Sequence, residues 1–159
     1  MAERLLAGRA HVLACSLTEG AQAVELFGSH DVSGWLSQDE VAAAIAGANV
    51  IVHFSAFEGL PLALLEAMTA GRAIVASDLP AIREVVGDTA IVVRTPSEAA
   101  VALRKLSADE AKRRELGRRA RDRVRRLYTK EAMVGRTLAA YGLADLRDAA
   151  AAPETARRP

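Results

Sequence analysis

The hydrophobic positions of this chain fall into short continuous runs, separated by segments with helical capping and stop signals. Residues 11–17 (HVLACSL), 49–54 (NVIVHF), 73–76 (AIVA) and 90–93 (AIVV) are apolar almost throughout. Such runs predict strands covered on both faces, since a strand with one wet face alternates apolar and polar residues. Between them, Ser37-Gln38-Asp39-Glu40 has the pattern of a capping box and predicts a helix from Gln38 to about Gly47. A second helix opens with Pro61 at its first position, turns Leu62, Leu65 and Met68 toward the sheet, and closes on Gly71 at C′. Pro80 opens a third helix that ends by Gly87, and Thr95-Pro96-Ser97-Glu98 is a second capping box whose helix reaches about Leu106. Residues 2–8 read as the end of a helix stopped by Gly8, 18–27 as a helix, and 31–35 as a short strand. Strands alternating with helices predict βαβ units, a parallel sheet and right-handed crossovers, hence an α/β, doubly wound, Rossmann-like layer structure.

The pattern changes after this sheet. Ser107-Ala108-Asp109-Glu110 is expected to cap a long helix crowded with arginine, and Thr129 a last helix over 130–141 anchored by Met133, Leu138 and Tyr141. Residues 1–143 are read as one domain and 144–159, Ala-rich with polar ends, as a flexible tail.

Composition narrows the classes. With 51% hydrophobic and 26% charged residues in 159, the chain reads as a globular domain with a sizeable core. A net charge of +1 and 4% aromatics argue against a nucleic-acid partner. The single cysteine, Cys15, excludes an intramolecular disulfide and fits a reducing cytosol. No apolar run is long enough for a membrane span and the N-terminus lacks a signal-peptide core, so a cytoplasmic location is expected. The arginine-rich helix reads first as a solvated face, because Glu110, Glu115 and Asp122 are interspersed; peripheral attachment to anionic lipid is the alternative.

The candidate chemistry lies in 54–78, FSAFEGLPLALLEAMTAGRAIVASD, a strand-to-helix junction at the carboxyl end of a strand. Open α/β sheets bind ligands at that edge, and the first turn of the helix offers N–H groups to an anion such as a phosphate. Glu58 in the loop and Glu66 on the helix could each accept hydrogen bonds from sugar hydroxyls; taken alone, they are more simply a loop charge and a solvated helix residue. Among the histidines His11, His30 and His53, none stands at metal-ligand spacing from Cys, Asp or Glu, so no metal site is expected. His53 could approach a ligand but reads better as a core or edge residue, and Ser55 lacks a nucleophile-elbow context. No P-loop or dinucleotide fingerprint occurs.

The stretch FEGLPLALLEAMTAGRAIVASDLPAIREVVG resembles the C-terminal domain of retaining nucleotide-sugar glycosyltransferases of the GT-B fold, the group called family 4. The resembling features are a glutamate followed by Gly, an apolar residue and Pro, then Glu66-Ala67-Met68, Ser77-Asp78 and Arg83-Glu84-Val85-Val86-Gly87; more weakly, the likeness extends over 32–141. It implies one half of a GT-B fold with C-terminal helices. It also implies a hexosyltransferase that acts with retention on a nucleoside-diphosphate sugar, in polysaccharide or glycolipid synthesis, without a metal or other cofactor.

Carried over, Glu58 holds hydroxyls of the transferred sugar, and the backbones of Gly59, Leu60 and Leu62 face sugar and phosphate, while Pro61 shapes the turn. Glu66 takes the ribose, and Gly34-Trp35 lies, more loosely, where relatives place the base. The resemblance assigns no certain catalytic residue. A complete GT-B enzyme has a second Rossmann-like domain, and neither that domain nor the phosphate-binding Gly-Arg and Lys has a counterpart here; Arg4 and Arg9 stand in the wrong context. The expectation is therefore a donor-binding half that needs an N-terminal domain or partner chain for transfer. The alternative is a non-catalytic nucleotide-sugar-binding or scaffold domain, and the presence of both Glu58 and Glu66 favours the first.

Overall fold

The computed structural model describes residues 2–3, 12–15 and 36–143. The helix expected over 18–27, the strand over 31–35, Gly34, Trp35, His11, His30 and the tail 144–159 lie outside them. The strands are β1 (Ala2–Glu3), β2 (Val12–Cys15), β3 (Val50–His53), β4 (Ala73–Ser77) and β5 (Ile91–Val93). The helices are α1 (Gln38–Gly47), α2 (Leu62–Thr69), α3 (Pro80–Val86), α4 (Pro96–Ala108), α5 (Glu110–Leu127) and α6 (Lys130–Ala140). The chain forms two compact units, 1–124 and 125–159.

In the first unit the strands stand in the order β1-β2-β3-β4-β5. The pairs from β2 to β5 are parallel, whereas β1 runs antiparallel to β2. Residues Ala2 and Glu3 thus correct the helix expected over 2–8, because pairing with Leu13 and Val12 draws them into the sheet. Val50, Val52, Ala73, Val75 and Val93 pack with Ala99, Ala102, Leu103 and Leu106 of α4 and Leu116 of α5. Strand alternation turns Ile51 and Ile74 to the opposite face, and both are fully buried. Both faces are covered, which is why β3 and β4 read as unbroken apolar runs. Each large aliphatic side chain removed from water in this way contributes about 2 kcal/mol. The described strands follow in chain order, so the reversal that defines a doubly wound sheet does not fall within them.

Local signals set most helix ends. Ser37 and Glu40 form the reciprocal capping box of α1. In α4, Thr95 accepts from the Glu98 N–H, but Glu98 reaches back to the N–H of Arg94, one residue earlier than a capping box requires. Helix α4 continues to Ala108, so the cap of α5 is Asp109, whose Oδ1 accepts from Lys112 N at 2.8 Å. Pro61 is the N-cap of α2, with ψ 89° outside the helical range, and the helix proper begins at Leu62. Its buried stripe is Leu64, Ala67 and Met68, while Leu62 is 63% exposed. Apolar residues at 62, 64, 65 and 68 allow either stripe at helical spacing, and packing selects the second. In the second unit no residue of α6 is buried, and Met133 and Tyr141 are exposed, contrary to their expected anchoring role.

Helix α5 holds the first unit together. Leu116, Ala120 and Val124, four residues apart, form its buried stripe, and Gly117 lies beside it. A Cβ on Gly117 would come within 2.0 Å of the Gly71 carbonyl oxygen, so only glycine lets the helix approach the α2–β4 turn. The flanking arginines donate to the carbonyl ends of other helices. Arg121 reaches the carbonyls of Thr69 at 3.1 Å and Ala70 at 2.9 Å, closing α2. Arg123 reaches those of Val85 at 2.8 Å and Glu84 at 2.7 Å, closing α3, and Arg113 donates to Leu106 and Ser107 of α4. From the turn before β4, Arg72 donates to the Ala48 carbonyl at the end of α1. A guanidinium at a helix C-terminus satisfies unpaired carbonyls and opposes the helix dipole.

Candidate functional site

The carboxyl ends of β3 and β4 carry the polar residues of the sheet. His53 closes β3, and Ser55 and Glu58 follow in the loop to α2; Ser77 closes β4, and Asp78 follows it. All but Asp78 belong to one hydrogen-bonded group. The Ser55 N–H donates to Ser77 Oγ at 2.8 Å, which ties the start of the loop to the neighbouring strand. The Ser55 hydroxyl donates to Glu58 Oε1 at 2.8 Å and lies 3.2 Å from His53 Nε2. His53 Nε2 is itself 2.6 Å from the same Glu58 oxygen. A carboxylate oxygen only accepts, so Nε2 carries the proton in this contact. The other ring nitrogen, Nδ1, is buried without a partner among the described residues.

His53 and Glu58 side chains are only 5% and 9% exposed, so the carboxylate is held in the wall of the edge and not on a free loop. His53, read as a core or edge residue, is buried at the end of β3. Sequence reading did not anticipate its bond to Glu58, although the spacing His53-x-Ser55-x-x-Glu58 across a strand end was available as a signal.

Beside this group, Asp78 is bonded to Arg83 and, at 2.8 Å, to Arg94. The hydrogen bond from Arg83, followed by that from Arg94, holds its carboxyl well below the usual carboxylate range. Both Asp78 oxygens are thereby occupied. Glu58 differs: its two contacts converge on Oε1, and Oε2 has no partner among the described residues.

The junction continues into α2. Gly59 and Leu60 are exposed in the loop, and Leu60 is 56% exposed. Leu64 and Leu65 make the first helical bonds to the Pro61 carbonyl, so the N–H groups of Leu62 and Ala63 precede the hydrogen-bonded ladder. Glu66 is exposed on the same helix. Glu58, Gly59, Leu60, Leu62 and Glu66 therefore follow one short path from the strand end along the helix, while Gly34 and Trp35 are outside the described residues. No group of His, Cys, Asp and Glu able to hold a metal occurs among the described residues. No described helix is long and apolar enough to cross a membrane. Two open clefts of about 230 and 250 Å³ lie elsewhere, both lined by Gly71, Arg72 and Arg114 near the start of β4.

Comparison with known proteins bears on this edge. Residues 14–123 match the model of the family described as Glycosyl transferases group 1. The chain is 36% identical over 126 residues to a protein of Mycolicibacterium hassiacum named MMP alpha-(1->4)-mannosyltransferase. That alignment covers 76% of this chain and 30% of the relative, so the chain spans about a third of the relative's length. The family match includes the sheet from β3 to β5, the junction with Glu58 and Glu66, and most of α5. The chain belongs to the Glycosyl transferases group 1 family.

Proposed function

We propose that this chain is the donor-binding half of a retaining, family 4 glycosyltransferase that takes a hexosyl group from a nucleoside-diphosphate sugar. The observation that carries the reading is the arrangement at the β3–α2 junction. Glu58 is held by one oxygen with the other unpartnered among the described residues, beside the open N-terminus of a helix that presents Glu66. A carboxylate with a free oxygen accepts from sugar hydroxyls, and N–H groups ahead of a helical ladder suit a phosphate. In this reading Glu58 and the backbones of Gly59, Leu60 and Leu62 hold the sugar and its adjoining phosphate. Glu66 accepts from the ribose, and Gly34-Trp35 lies near the base.

Departure of the nucleoside diphosphate leaves negative charge at the same helix N-terminus, whose oriented dipoles stabilise it without a metal. The name of the Mycolicibacterium relative makes a mannosyl donor the first to try. Groups that bind the acceptor are assigned to the part of the architecture outside the aligned segment, supplied by an N-terminal domain or a partner chain. The work is placed on the cytoplasmic side, in polysaccharide or glycolipid synthesis.

Calorimetric titration of the full chain with UDP, GDP and ADP, beside Glu66→Ala, tests the reading. One nucleotide should bind saturably, and Glu66→Ala should weaken it by about tenfold or more, the loss of a charge-assisted hydrogen bond. Absence of binding by every nucleotide to a folded chain overturns the proposal.

A further inference from the structure

We infer that His53 and Ser55 are positioning residues for sugar recognition: together they clamp Glu58 through Oε1 so that its second oxygen, Oε2, is presented to a donor hydroxyl. The inference rests on the donor-site reading above and adds two residues to it. A glutamate in a loop can rotate about three side-chain torsions, and ordering it on binding a sugar costs conformational entropy. Here that ordering is already done. The imidazole and the serine hydroxyl both end on Oε1, at 2.6 and 2.8 Å, which fixes where Oε2 lies.

The clamp itself is rigid. His53 is the last residue of a central strand, paired in register with Cys15 on one side and Ala76 on the other, and is 4% exposed. Ser55, 9% exposed, is fixed through its own N–H to Ser77 Oγ at 2.8 Å. The two donors thus reach Glu58 from elements anchored to β3 and β4. A second feature separates this group from an ordinary buried ion pair, in which both carboxylate oxygens would find partners. The neighbouring, more exposed Asp78 also uses both, with Oδ1 on Arg83 and Oδ2 on Arg94. Glu58 takes both of its donors on Oε1, and Oε2 has no partner among the described residues. A group that served only to staple the loop would gain more by using both oxygens.

The ligand chemistry implied is a hydroxyl donor, with the nucleotide bound by other residues. The experiment therefore compares the affinity of the full chain for a nucleoside diphosphate with that for its hexose conjugate, using the nucleotide that binds wild type. The variants are His53→Leu, His53→Gln and Ser55→Ala. His53→Leu should reduce the preference for the conjugate by about tenfold while leaving diphosphate affinity within about twofold. His53→Gln, whose amide N–H can reach the place of Nε2, should restore most of the preference, and Ser55→Ala should reduce it by about threefold. A purely structural clamp would weaken both ligands equally or neither.

An unchanged preference in His53→Leu, or equal weakening of both ligands, overturns the inference. If His53→Leu does not fold, Ser55→Ala and His53→Gln decide on the same criterion. Wild type that binds the diphosphate without preferring the conjugate overturns the clamp but leaves nucleotide binding standing. A folded wild type that binds neither overturns both readings.

Discussion

Glu58 and the arginines of α5 are two regions of charge chemistry in this fold, and their hydrogen bonding is opposite in kind. The arginine helix has the greater charge density, yet Arg113, Arg121 and Arg123 each donate to carbonyls at the end of another helix. The carboxyl edge has one glutamate in its wall, held at Oε1 and without a partner at Oε2 among the described residues. Density of charge along the sequence therefore marks a region whose arginines bond within the protein. A polar group that is ordered yet incompletely bonded inside the protein is better suited to take a ligand, and among the described residues Glu58 combines that with an adjoining helix N-terminus.

If α5 is a structural clasp, its variants should change stability. Gly117→Ala should have the largest effect, about 3 kcal/mol, because its new Cβ meets the backbone oxygen of Gly71 and neither backbone can yield locally. Urea denaturation monitored by circular dichroism measures it. Next, Arg121→Ala and Arg123→Ala should each cost about 1.5 kcal/mol by the same assay, since each uncovers two helix-end carbonyls.

A smaller effect is expected from Asp78→Asn, read from melting temperature against pH. The folded carboxyl is depressed, so its stabilising contribution is complete above the ordinary aspartate range of about 4 and is lost as pH falls toward the folded value. Wild type and variant curves should converge toward low pH and separate above it. Arg118→Ala should change stability least, within about 0.5 kcal/mol, because Arg118 is exposed and bonds no helix end among the described residues. A loss as large as that of Arg123→Ala would break the distinction between clasping and solvated arginines.

Much of this fold was legible because its signals are local. The apolar runs at 49–54 and 73–76 became β3 and β4, and Ser37, Gly71 and Gly87 mark helix ends as read; both glycines take positive φ, 66° and 56°. The position of Glu58 and Glu66 on a strand-to-helix junction was legible for the same reason. Long-range choices were not. Strand order depends on pairing between segments, and the Leu62 stripe competed with the Leu64 stripe at equal helical spacing until packing chose. The arginine partners lie 38 and 52 residues away in sequence, as for Arg123 with Val85 and Arg121 with Thr69, so their carbonyl bonds leave no local pattern. His53 and Glu58 are close in sequence, but their meeting requires the loop to fold back over the strand end, which no periodicity encodes.

The central claim is that the carboxyl edge, and not the arginine helix, recognises the donor. It is tested most directly by titrating the hexose conjugate of the nucleotide that binds into wild type, Glu58→Gln and Arg118→Ala. Glu58→Gln should weaken binding by about tenfold, having lost the charged acceptor, while Arg118→Ala binds as wild type does. Unaltered binding by a folded Glu58→Gln, with loss in Arg118→Ala, would contradict the account and move the site to the arginine helix.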